Sequence, residues 1–187
     1  MIDRIENAYQ LTFPDASISN LILFDVFHHL RYPGTALKEF HRVLTAHGRV
    51  LIFEPCISIL GRVVYGLLHA EPIGGRERIQ WSAPPGWNPA DLDYYAAQGN
   101  ATRVFLDGEV DVQAGGWQII GVKRLCSISY VASGGYSKPQ IYPRRALPVI
   151  RGIDRFLSGL PRLFGTRLLA VLEKPDPDKS FALPRRV

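Results

Sequence analysis

Residues 11–55, LTFPDASISNLILFDVFHHLRYPGTALKEFHRVLTAHGRVLIFEP, change apolar pattern twice, and those changes decide the fold. Leu21 to Phe27 (LILFDVF) is apolar apart from Asp25, with Pro14-Asp15 turning the chain before it and Tyr32-Pro33-Gly34 after it. A short run bounded in this way reads as a strand covered on both faces. Leu37, Phe40, Val43 and Leu44 then recur at helical spacing, with Lys38, Glu39 and Arg42 turned to water. Thr35 is placed to cap that helix, and Gly48 to end it. Arg49 to Phe53 reads as a second strand, with Glu54-Pro55 at its carboxyl end. Strand, helix and strand make a parallel crossover unit, and open α/β sheets hold ligands beyond the carboxyl ends of such strands.

The rest of the chain is less regular. Ile57 to His69 reads as a helix apolar on most sides and therefore packed. From 70 to 116 the pattern is irregular and rich in proline, glycine and aromatics, as in SAPPGWNPADLDYY, which marks a cap or insertion. Trp117 to Val131 has strand character in two pieces, Pro148 to Leu160 is an amphipathic helix, and Arg167 to Glu173 is a last strand. Residues 175–187 are polar and proline-bearing and read as a flexible tail. At 187 residues and 47% apolar composition, this is one globular domain and not a disordered chain. The two cysteines, Cys56 and Cys126, form no CxxC pair, so a reducing interior is expected. The polar start lacks a signal-peptide core, and no apolar run reaches the ~20 residues of a membrane span. The expected location is the cytoplasm.

In their order and spacing, Asn7-Ala8 before LTFPDAS, then FDVFHHL, then FHRVLTAHGRVLIFEP resemble class I S-adenosylmethionine-dependent methyltransferases, in their small-molecule, type 11-like branch. The resemblance covers about the first third of the chain. It implies a Rossmann-like α/β sheet in which these two strands are the family's fourth and fifth, continuing in the order fourth, fifth, seventh, sixth. The family's glycine-rich cofactor loop and its first strands have no counterpart in this sequence. The expectation is therefore a partial, N-terminally truncated methyltransferase domain, or half of a split protein, whose first strand lies at the edge of the sheet. The cofactor implied is S-adenosylmethionine. The activity implied is methyl transfer to a small molecule, glycan or glycolipid, with surface-polysaccharide biosynthesis as a context. The rival is a non-catalytic remnant that pairs through its open sheet edge.

Carried over by position, the resemblance assigns the adenine side to Asn7 and Ala8, where asparagine keeps an acceptor oxygen. It assigns further cofactor contacts to Phe24 and Asp25. His28 and His29, on the tip after the first strand, are the catalytic candidates, because imidazole titrates near neutrality and can take a hydroxyl proton. Glu54, His69, Glu71 and Tyr95 are candidate acceptor-binding residues. Adjacent histidines without a Cys/His cluster predict no metal site.

The net charge of +5 owes much to late arginines, Arg144, Arg145, Arg151, Arg155 and Arg162 among them. Aromatics are not interleaved with them as a base-stacking platform requires, and no NPPY-type motif occurs, so nucleic acid is not expected as a partner. The alternation of apolar residues with arginines from Leu147 to Phe164 has two readings. A helix covering the sheet is preferred over one lying at a membrane interface. A homo-oligomer, or a missing N-terminal half, is the expected protein partner.

Overall fold

The computed structural model describes residues 4–67, 71–75, 77–91, 93–134 and 139–176. Four strands form one mixed sheet in the order β1-β2-β4-β3. β1 (Ile18–Phe24) runs parallel to β2 (Leu44–Pro55), with Leu21 opposite Val50 and Phe24 opposite Phe53. β4 (Arg167–Glu173) is antiparallel to β2 and to β3 (Gln118–Leu125). The order is the one the sequence implied, and the parallel pair is the crossover read from residues 11–55.

One face of the sheet carries the core. Leu23, Val50, Ile52, Leu168, Ala170 and Leu172 pack there with Phe27, with Leu37 and Phe40 of α1 (Pro33–Val43), and with Val104 and Phe105 of α3 (Asn100–Phe105). Irregular as it is, the stretch from 71 to 116 thus supplies a packed helix to the same core. The other face is more open. Ile22 is 72% exposed and Phe24 37%, so the expectation of a first strand covered on both faces is corrected. The strand also stops earlier than its apolar run, because Asp25 takes a positive φ of 56° and Phe27–His29 turn as a short 3-10 segment.

The ends of α1 differ from the sequence reading for tertiary reasons. Pro33 occupies the first turn, where its missing N–H costs nothing, and Thr35 Oγ1 accepts instead from the backbone of Ala83 at 2.9 Å. Gly34 lies directly under Trp81, where a Cβ would fall 2.4 Å from the indole nitrogen. The helix stops at Val43, before Gly48, and the ammonium of Lys174 donates to the carbonyls of His41 (2.8 Å) and Leu44 (2.7 Å). A cation satisfying the last carbonyls ends the helix without a glycine.

Two further expectations are corrected. α2 (Ile59–Leu67) buries only Gly61 and Tyr65, while Ile59, Val63 and Leu67 face out, so it is not a helix packed on most sides. Beyond Leu125 the second strand piece is instead a short helix, α4 (Ile128–Ala132), followed by α5 (Leu147–Leu157) and α6 (Pro161–Phe164). α5 packs on α4 and buries none of its residues, so it does not cover the sheet as expected. No described helix is long and apolar enough to cross a membrane.

Candidate functional site

The carboxyl ends of β1 and β2 meet at a buried polar cluster. Glu54, at the end of β2, is fully buried. One of its oxygens accepts from the backbone N–H of Phe27 at 2.6 Å, the other from Nδ1 of His28 at 2.5 Å. A carboxylate at that distance fixes the tautomer: Nδ1 carries the proton, and neutral His28 keeps a lone pair on Nε2. Nε2 looks toward Glu71 at 3.3 Å and the side-chain amide of Gln98 at 3.3 Å. His29 lies beside it, the two rings 4.1 Å apart, with Nδ1 held by the carbonyl of Tyr95 at 2.9 Å. Glu71 accepts from Tyr94 (2.8 Å) and Gln98 (2.6 Å), which fixes its carboxylate in front of both imidazoles.

These contacts set the charges. Burial alone would push the His28 pKa down, but the Glu54 hydrogen bond and the charges of Glu54, Glu71 and Asp25 outweigh it and hold the imidazole above its ordinary value. Burial raises Glu71, yet hydrogen bonds from Tyr94 and Gln98, with the charges of His29 and His28, leave it below the usual carboxylate range. Donor atoms of His28, His29 and Glu71, and of Asp25, His28 and Glu54, converge within 4.8 Å. In both trios the glutamate is already occupied by protein donors, so each reads as a hydrogen-bonded network. Among the described residues Gln98 Oε1 is buried without a partner and remains a spare acceptor in this cluster.

A second network backs the rim. Arg167 donates to Asp25 and lies over the rings of Phe53, Phe24 and Tyr130 at 4.4, 5.4 and 4.8 Å. Tyr130 donates to the other Asp25 oxygen at 3.1 Å. Sequence reasoning missed Arg167 and Tyr130; a lone aspartate ending an apolar strand was the signal that a cation must meet it. Gln98, from the irregular stretch, joins His28 to Glu71.

The structure therefore brings His28, His29, Glu54, Glu71 and Tyr95 together, whereas His69 lies outside the described residues. Tyr95 also lines an adjoining cavity of about 400 Å³ with Gly74, Glu77, Asn100 and Arg103. Asn7 and Ala8 sit apart from the cluster. Asn7 Nδ2 donates to the Pro89 carbonyl and its Oδ1 accepts from Tyr9 N–H, both at 2.9 Å. The second lone pair of that oxygen still suits an amine donor. The exposed Phe24 ring offers an apolar surface at the end of β1, while Asp25 is committed to Arg167 and Tyr130.

Residues 3–52 match the family described as a methyltransferase domain. None of the curated proteins matches the chain. Among solved structures, the [4+2]-cyclase SpnF aligns at 14% identity and a TM-score of 0.45, over 92% of this chain and 55% of its own. A SAM-dependent methyltransferase from Methanosarcina mazei aligns at 13% and 0.46, over 92% and 66%. Another from Thermotoga maritima aligns at 14% and 0.47, over 89% and 61%. The chain spans a little over half to two thirds of the length of these structures. Over residues 3–52 the chain is therefore similar to a methyltransferase domain, the same N-terminal part in which the resemblance was read from the sequence.

Proposed function

We propose that the protein is part or all of an S-adenosylmethionine-dependent methyltransferase that acts in the cytoplasm on a hydroxyl of a small molecule or glycan. The observation that carries this reading is that the segment matching a methyltransferase domain leads to a rim where a buried carboxylate orients an imidazole. When bound, the cofactor supplies an electrophilic methyl group on a sulfonium. Asn7 and Ala8 would hold its adenine end, with Phe24 as a further cofactor contact. His28, its Nδ1–H held by Glu54, presents the Nε2 lone pair and takes the acceptor proton. His29 Nε2 and the Glu71 carboxylate stand beside it as hydrogen-bond acceptors for hydroxyls of the acceptor. Tyr95, Asn100 and Arg103 line a cavity whose volume lies within the range of small-molecule sites. A glycan or glycolipid fits this mixture of aromatic and polar groups, and surface-polysaccharide biosynthesis is the context favoured.

A second reading draws on β1, which has a paired neighbour on one side only among the described strands. An open strand edge accepts another chain, as in a non-catalytic module that associates through β-pairing. Calorimetric titration with S-adenosylhomocysteine separates the two. A methyltransferase binds it in the micromolar range, about −8 kcal/mol, and the Phe24→Ala variant binds more weakly. No detectable heat at millimolar ligand would exclude the first reading.

A further inference from the structure

Every side chain of α5 remains at least partly accessible, although the helix lies against α4. Its inner side is set by Asp154, whose carboxylate accepts from the N–H groups of Ile128 (2.6 Å) and Ser129 (3.2 Å) and from the Ser129 hydroxyl (2.5 Å). Val149, Ile153 and Phe156, with Leu160 just past the helix end, share one arc by helical spacing. They are 67%, 45%, 83% and 57% exposed. Arg151 and Arg155 stand exposed on another flank, with Arg144 and Arg145 before the helix and Arg162 after it. Among the described residues none of these arginines has an ion-pair partner. Asp154, the single acid between 139 and 165, is spent on α4.

An apolar arc beside uncompensated arginines is the make-up of a helix lying in the plane of a bilayer, with its apolar side at the acyl boundary and its guanidinium groups at the headgroup phosphates. The sign of the charge selects anionic lipid, toward which each arginine adds about 1 kcal/mol near the surface. We propose that α5 and its flanking arginines dock the protein on an anionic membrane surface. The docking does not require the cofactor. α4 also carries Tyr130, bonded to Asp25 at the tip after β1, so the docked face adjoins the candidate site; that a lipid-linked acceptor is served there rests on the proposed activity.

Co-sedimentation of the full chain with phosphatidylcholine vesicles, with and without phosphatidylglycerol, tests this. Partition is expected to be at least about tenfold stronger on the anionic vesicles and to weaken with salt. The pairs Val149→Asp/Phe156→Asp and Arg151→Glu/Arg155→Glu should each lower it about tenfold with circular dichroism unchanged, since all four residues are exposed. Phe156→Trp should gain a blue-shifted emission on anionic vesicles beyond that of the parent, an outcome that survives if an aspartate variant misfolds. No binding, or equal binding to both vesicles, overturns the proposal. So does a parent dimer that Val149→Asp/Phe156→Asp converts to monomer without any vesicle binding, for the face would then belong to a second copy.

Discussion

Glu54 carries the largest single consequence at the scale of one residue. It serves a backbone N–H and an imidazole in a place water does not reach. Glu54→Ala leaves both donors unmet and should cost about 3 kcal/mol in urea unfolding. Glu54→Gln, which keeps one acceptor oxygen, should cost less. His28 adds a pH dependence whose sign follows from its direction of shift. Its folded pKa lies above the ordinary value near 6.5, so its contribution to stability is complete below that value and is lost as pH rises through the folded pKa. The difference in urea midpoint between parent and His28→Gln should therefore shrink as pH rises above about 6.5. A gap that stays constant would show that the imidazole does not titrate there. Activity should run the opposite way, rising over the same interval, because only neutral His28 can take a proton.

At the scale of elements, packing overrules propensity at the start of α2. Gly61 is buried in that helix, and its N–H donates to Ser58 Oγ at 3.0 Å. A Cβ there would lie 2.0 Å from the Cys56 carbonyl oxygen, a backbone atom that cannot turn aside. Elsewhere in a helix, glycine to alanine gains about 1 kcal/mol. Here Gly61→Ala should lose about 2 kcal/mol, because the helix must move off the end of β2. A thermal melt that rises on this substitution would mean that α2 is not seated as described. The same competition explains how far each element could be read from sequence. The β1-α1-β2 crossover was legible because its apolar spacing is local and strong. Its boundaries were not, since Lys174, far along the chain, ends α1, and Trp81 and Ala83 decide how it begins. α5 was read as a helix correctly, but its periodicity could not say which surface its apolar arc would meet.

For the whole molecule, among the described residues the sheet has one packed face and one open face, with β1 and β3 at its edges. An apolar edge with unpaired backbone groups promotes association. The parent should therefore self-associate as concentration rises in sedimentation velocity. Ile22→Lys, at a position 72% exposed, should reduce that association while changing stability by no more than about 0.5 kcal/mol. Unchanged association would place the contact elsewhere. At this scale the division between sequence and structure is clear. By itself the sequence determined the parallel crossover, the methyltransferase-like motif and the two histidines at its tip, because each is written in residues close together in the chain. Tertiary structure alone decided that Glu54 would orient His28, that Glu71, Tyr95 and Gln98 would arrive from the irregular stretch, and that Arg167 would neutralise Asp25. Those contacts join segments far apart in the chain, and it is burial, which no local pattern encodes, that obliges each charge and hydrogen-bonding group to find its partner.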